Sequence, residues 1–102
     1  MQVEITRFAK RQLKQIYEYY KSEASERIAA QIINKLFDAI DELEKLSGIG
    51  SIEPNLAHLM QNYRYLVCGN YKIIFRAETD MIYVTDVFDC RQNPVKIARR
   101  NK

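Results

Sequence analysis

The feature that most constrains this chain is a change of hydrophobic period partway along it. From Phe8 to Leu46 apolar residues recur every three or four positions. From Tyr63 to Asp89 they fall in short runs of aromatic and β-branched side chains. The first pattern is that of amphipathic helices and the second that of strands, so helices and sheet must come from different stretches and pack on each other. The steps Ala9, Leu13, Ile16, Tyr20 define the apolar stripe of a first helix, with Thr6 as its N-cap. Ser22 or Ser25 opens the next element, without a capping box because Ile28 stands three residues after Ser25. Ala29, Ile32, Ile33, Leu36, Phe37, Ile40 and Leu43 then hold the helical period to Leu46, and Ser47-Gly48 supplies the stop. Two such helices on a short polar link form an antiparallel hairpin.

The flanking segments complete the reading. Val3 and Ile5 alternate with Gln2 and Glu4 as a short N-terminal strand. Residues 48–61 carry Gly48, Gly50, Pro54 and Asn55 and read as a loop, with one helical turn at Leu56–Met60. Tyr63–Cys68 and Tyr71–Arg76 flank Gly69-Asn70 as a β-hairpin, and Glu78-Thr79-Asp80 turns the chain into a third strand, Met81–Asp89. The expected fold is α+β over residues 1–102 as a single domain: an N-terminal strand, a helical hairpin and a three-stranded antiparallel meander packed on the helices.

At 102 residues the chain can bury a core without staples. Its longest apolar runs, such as Ile28-Ala29-Ala30, are far too short to span a membrane, and the start has no apolar segment of signal-peptide length. These point to a cytoplasmic protein with no membrane partner. Cys68 and Cys90 are too few for a disulfide framework and read as reduced, buried thiols. No Cys-x-x-Cys, paired histidines or cysteine–histidine cluster occurs, so no metal or other cofactor is expected. His58 stands alone in the loop and reads as a surface residue. Asp38, Asp41, Glu42 and Glu44 scatter around the second helix and read as a solvated face.

The net charge of +3 is unevenly placed. Residues 1–46 hold eight basic and eight acidic side chains, whereas residues 47–102 hold eight basic and five acidic ones. Five of those bases fall in the final stretch: Arg91, Lys96, Arg99, Arg100 and Lys102, with no acid among them. A cluster of this kind favours a polyanion or an acidic protein partner, or simply aids solubility. On the second meander strand Lys72, Ile74 and Arg76 share one face while Tyr71, Ile73 and Phe75 share the other, which covers the helices. Arg64, Lys72 and Arg91 are then expected to converge on the open side, where they would clamp a phosphodiester. The other reading of the same charges is an ordinary solvated sheet surface.

The run Tyr63-Arg64-Tyr65-Leu66-Val67-Cys68-Gly69-Asn70-Tyr71-Lys72-Ile73-Ile74-Phe75, followed by Val84-Thr85-Asp86-Val87-Phe88-Asp89-Cys90-Arg91-Gln92-Asn93-Pro94, resembles the RelE/ParE superfamily, the toxin halves of bacterial type II toxin–antitoxin pairs. The resemblance covers essentially the whole chain and implies the fold described above. RelE-like members are ribosome-dependent, metal-independent endoribonucleases that cleave messenger RNA. For that activity the resemblance implies Arg64, Lys72 and Arg91 as the catalytic set. Leu66 stands where a second basic residue would be expected, and no tyrosine follows Tyr83 to serve in proton transfer. ParE-like members lack the full nuclease set, have a longer helical hairpin and poison DNA gyrase. The second helix of about 21 residues, from Ser25 to Lys45, and the arginine-plus-proline ending suit that branch. It implies Arg91, Lys96, Arg99 and Arg100 as target-binding residues. Either branch implies a cognate antitoxin, with operator DNA met only through the antitoxin. A non-catalytic protein-binding module is the third alternative.

Overall fold

The computed structural model describes residues 2–45, 51–52, 63–78, 81–92 and 97. In chain order these form β1 (Gln2–Ile5), α1 (Arg7–Glu23), α2 (Glu26–Lys45), β2 (Ser51–Ile52), β3 (Tyr63–Cys68), β4 (Tyr71–Ala77) and β5 (Met81–Asp89). The α+β class and the element order agree with the sequence reading. The expected turn at Leu56–Met60, His58 and the stop at Ser47-Gly48 lie outside the described residues.

Local chemistry places the helix ends. The Thr6 hydroxyl accepts the Ala9 N–H at 3.2 Å and caps α1. Ser25 caps α2 in the same way, accepting the Ile28 N–H at 3.1 Å, and Ser22 falls inside α1. Ala24 and Ser25 are the whole link between the helices. The two helices therefore fold back on each other, and their stripes (Ala9 and Leu13 from α1, Leu36, Ile40 and Leu43 from α2) enter one core with the sheet. Asp38, Asp41, Glu42 and Glu44 are exposed, with Glu42 paired to Lys45 at 3.7 Å. No described helix is long and apolar enough to cross a membrane.

The meander is the centre of a larger sheet ordered β1-β5-β4-β3-β2. β1 joins it in parallel alongside the first half of β5, from Gln2↔Met81 to Ile5↔Val84. β2 adds two residues on the far edge, Ser51↔Tyr65 and Ile52↔Arg64, inside the segment read as loop. A two-residue strand leaves no periodicity to read, which is why it was not expected. Gly69 takes a left-handed φ of 59° in the β3–β4 turn, where a residue with a Cβ would be strained.

β5 is interrupted once. Ile74 of β4 pairs with Asp86 and its neighbour Phe75 pairs with Val84, so Thr85 is an extra residue, a β-bulge. Its hydroxyl donates to the Ile74 carbonyl at 3.4 Å, and its own carbonyl accepts from the Thr6 hydroxyl at 3.5 Å. Before the bulge Ile82 and Val84 face the helices. After it Val87 does, while Asp86 and Phe88 turn to the other face.

That outer face, expected to be open, is open only in part, with Val67 exposed on it. Tyr63, Ile74 and Phe88 form a second small core there with Ile97, which is only 1% exposed. Burial on both faces accounts for the unbroken run Ile73-Ile74-Phe75 in β4, all three residues being buried. Cys68 is half-buried and Cys90 exposed, both as free thiols. The expectation that both are buried fails at Cys90, which lies beyond the last strand; its backbone N–H donates to the Asn70 carbonyl at 2.7 Å.

Leu36→Ala, at 1% exposure in the centre of the helix–sheet core, is expected to cost about 2–5 kcal/mol in urea denaturation. Thr85→Val keeps the shape of the bulge residue and deletes its hydroxyl, for an expected loss of about 0.5–1.5 kcal/mol by the same measurement.

Candidate functional site

The register separates the three cations expected to converge. Directly opposed residues in a sheet share a face. Arg64 is opposite Phe75, in the helix-facing row. Lys72 is opposite Val67 and Phe88, on the outer face. Its ammonium sits over the Tyr65 ring, 4.3 Å from the centroid, a cation–π contact. Arg91 follows β5 on the helix side, beside Asp89, whose partner across the ladder is the buried Tyr71. No clamp of Arg64, Lys72 and Arg91 forms on one face. The expectation fails for a definite reason: the bulge at Thr85 sends the end of β5 toward α1, and Arg64 is one residue out of phase with Tyr65.

Arg76, on the outer face with Lys72, is engaged as well. Its Nε lies 3.2 Å from Glu78 Oε1, and its guanidinium carbon is 5.3 Å from the Tyr83 ring centroid and 6.0 Å from that of Tyr63. Lys96, Arg99 and Arg100 lie outside the described residues. Leu66, in the position where a basic residue was sought, packs against the helix–sheet core.

What the structure does assemble is the turn after β5. Asp89 Oδ1 accepts the Arg91 backbone N–H at 2.9 Å, closing an Asx turn. The same carboxylate accepts Arg91 Nε–H at 2.9 and 3.2 Å and Nη2–H at 2.7 Å, a forked ion pair. The Asp89 side chain is 18% exposed and that of Arg91 57%, so the anion is sheltered and the cation is presented. The hydrogen bonds from Arg91 hold the Asp89 carboxyl below its ordinary value, against a smaller opposing effect of burial. Asp89 in turn raises Arg91 further, with Tyr20 adding to it.

Behind this pair the Tyr71 hydroxyl donates to Tyr20 at 3.5 Å, and Tyr20 meets Tyr19 edge-to-face with centroids 5.1 Å apart. Burial, then the Tyr20 hydrogen bond, push the Tyr71 phenol well above its usual range, so it stays a neutral donor. Arg91 and Asp89 help line a cleft of about 780 Å³ along α1, together with Gln12, Gln15 and Tyr19. Sequence reasoning found Arg91 and missed Asp89, Tyr20 and Tyr71. The Asp89-Cys90-Arg91 spacing, an Asp two residues before an arginine at a strand end, was the legible signal. The tyrosine pair, 51 residues apart in sequence, left none.

Over residues 3–94 the sequence matches the family of the ParE toxin of the type II toxin–antitoxin system parDE. Among solved structures, a chain of the chromosomal ParDE toxin–antitoxin system from P. aeruginosa superposes with a TM-score of 0.75 at 19% identity. The alignment covers 87% of this chain and 95% of that one. At that identity the likeness establishes a shared fold. No curated protein sequence matches this one.

The ion pair has a pH consequence. Because the Asp89 carboxyl titrates below its ordinary value in the folded chain, it stabilises the fold above that value, and the contribution is lost as pH falls through the depressed one. The stability difference between the native chain and Asp89→Asn, from urea midpoints, is expected to be largest above about pH 4, the ordinary carboxylate value, and to shrink as pH falls below it.

Proposed function

We propose that this chain, which belongs to the ParE toxin family of type II toxin–antitoxin systems, arrests bacterial growth by poisoning DNA gyrase and is neutralised by a cognate antitoxin. The observation that carries the reading is the family match across residues 3–94, which includes β3, β4, β5 and Arg91. The separation of the cations supports gyrase over messenger RNA as the target. Cleavage of a phosphodiester without a metal needs several positive groups aimed at one phosphate. Here Arg64 and Lys72 point from opposite faces of the sheet, and Leu66 belongs to the core.

On this reading Arg91, Lys96, Arg99 and Arg100 contact the target, and no cofactor takes part. The basic excess of residues 47–102 suits a target that carries DNA, and equally an acidic antitoxin segment. Operator DNA is met only through the antitoxin.

The test is a short induction of the free chain in bacteria with pulse-labelling of DNA and protein synthesis. DNA synthesis is expected to fall first while translation continues, with cleaved DNA accumulating on purified gyrase. Translation stopping first would overturn the reading in favour of the ribosome. Arg91→Ala is expected to weaken target binding by ten- to a hundredfold, the effect of about 1.5–3 kcal/mol for a lost charge-assisted hydrogen bond. Lys72→Ala is expected to leave growth arrest intact, whereas a phosphate clamp would lose it.

A further inference from the structure

We propose that Asp89 is a positioning residue for Arg91, holding its guanidinium in one orientation in the lining of the cleft along α1. The proposal rests on the reading of Arg91 as a target-contacting residue.

An exposed arginine samples many rotamers, and ordering it on binding costs entropy. Here hydrogen bonds to Asp89 restrain that freedom before any partner binds. Asp89 binds both the Arg91 backbone N–H and the Nε/Nη2 side of its guanidinium, so two ends of one residue are tied to one carboxylate. Asp89 is itself fixed, being the last residue of β5, paired with the buried Tyr71 and only 18% exposed. The guanidinium has five N–H donors in a rigid plane. With the Nε/Nη2 edge taken, the Nη1 edge points away from the carboxylate, on a side chain 57% exposed. The paired charge also changes how Arg91 recognises a partner. A neutralised fork contributes directed hydrogen bonds more than net attraction, so its share of binding responds weakly to salt compared with an unpaired arginine.

A double-mutant cycle on growth arrest tests this, with fold and expression checked by circular dichroism and blotting. Arg91→Ala is expected to lose arrest at least tenfold, Asp89→Ala several-fold, and the double variant no more than Arg91→Ala alone. Asp89→Asn keeps an acceptor for the backbone N–H and is expected to lie between native and Asp89→Ala, which guards against a folding defect. Independently of toxicity, the Arg91 Nε–H resonance is expected to be sharp and protected in the native chain, and to broaden in Asp89→Asn.

Losses that add in the double variant, or full arrest by Asp89→Ala beside loss by Arg91→Ala, would overturn the positioning role alone. Full arrest by Arg91→Ala would overturn it together with the target-contact reading. A ribosomal target in the labelling experiment would overturn the gyrase reading and leave this one standing, since the cycle reads arrest whatever the target.

Discussion

The arrangement of this molecule turns on one extra residue in its last strand. Strict alternation from Ile82 would put Ile82, Val84, Asp86 and Phe88 on one face, and would bury a carboxylate among the helix stripes. The bulge at Thr85 resets the phase, so Val87 continues the helix-facing row and Asp86 and Phe88 turn outward. The hydroxyl of Thr85 satisfies the Ile74 carbonyl, and its carbonyl is met by Thr6, the residue that also caps α1. The bulge thereby links the sheet register to the start of the helical hairpin.

Two consequences follow from that phase change. The outer face receives Phe88 beside Ile74 and Tyr63, and these bury Ile97 from the C-terminal end of the chain. The outer side of the sheet is thereby covered locally around Ile74, which suits the consecutive buried residues of β4, while Val67 on the same face stays exposed. The helix side receives Asp89 in the Tyr71 row, and with it the turn that carries Arg91. The same local irregularity therefore supports a second core and decides which side of the sheet presents the exposed guanidinium.

Three described cations of the meander and the turn after it, Lys72, Arg76 and Arg91, are engaged with neighbouring side chains. Arg91 is forked onto Asp89, Arg76 lies between Glu78 and two tyrosine rings, and Lys72 sits over Tyr65. Partly sheltered pairs of this kind lose less to salt screening than exposed charges do, and they orient their donors. Of the basic cluster expected in residues 91–102, only Arg91 is among the described residues, and it is presented as an oriented donor.

Most of the architecture was legible in the sequence because it rests on local rules. Thr6 as a cap, the four-and-three spacing of both helices, the turn at Gly69-Asn70 and the bounds of β3 and β5 follow from periodicity and backbone preference, which act within a few residues. The candidate site was legible only in part, since Arg91 stood out by charge while its neighbours did not. Whether Arg64, Lys72 and Arg91 meet depends on which face each residue takes, and one inserted residue reverses that for everything beyond it. The one mark of the bulge in the sequence is Asp86, standing where strict alternation from Ile82 and Val84 calls for an apolar residue. The composition and local pattern of the chain determined its elements and their order. Tertiary pairing of β4 with β5 decided the face on which Asp89 and Arg91 came to rest.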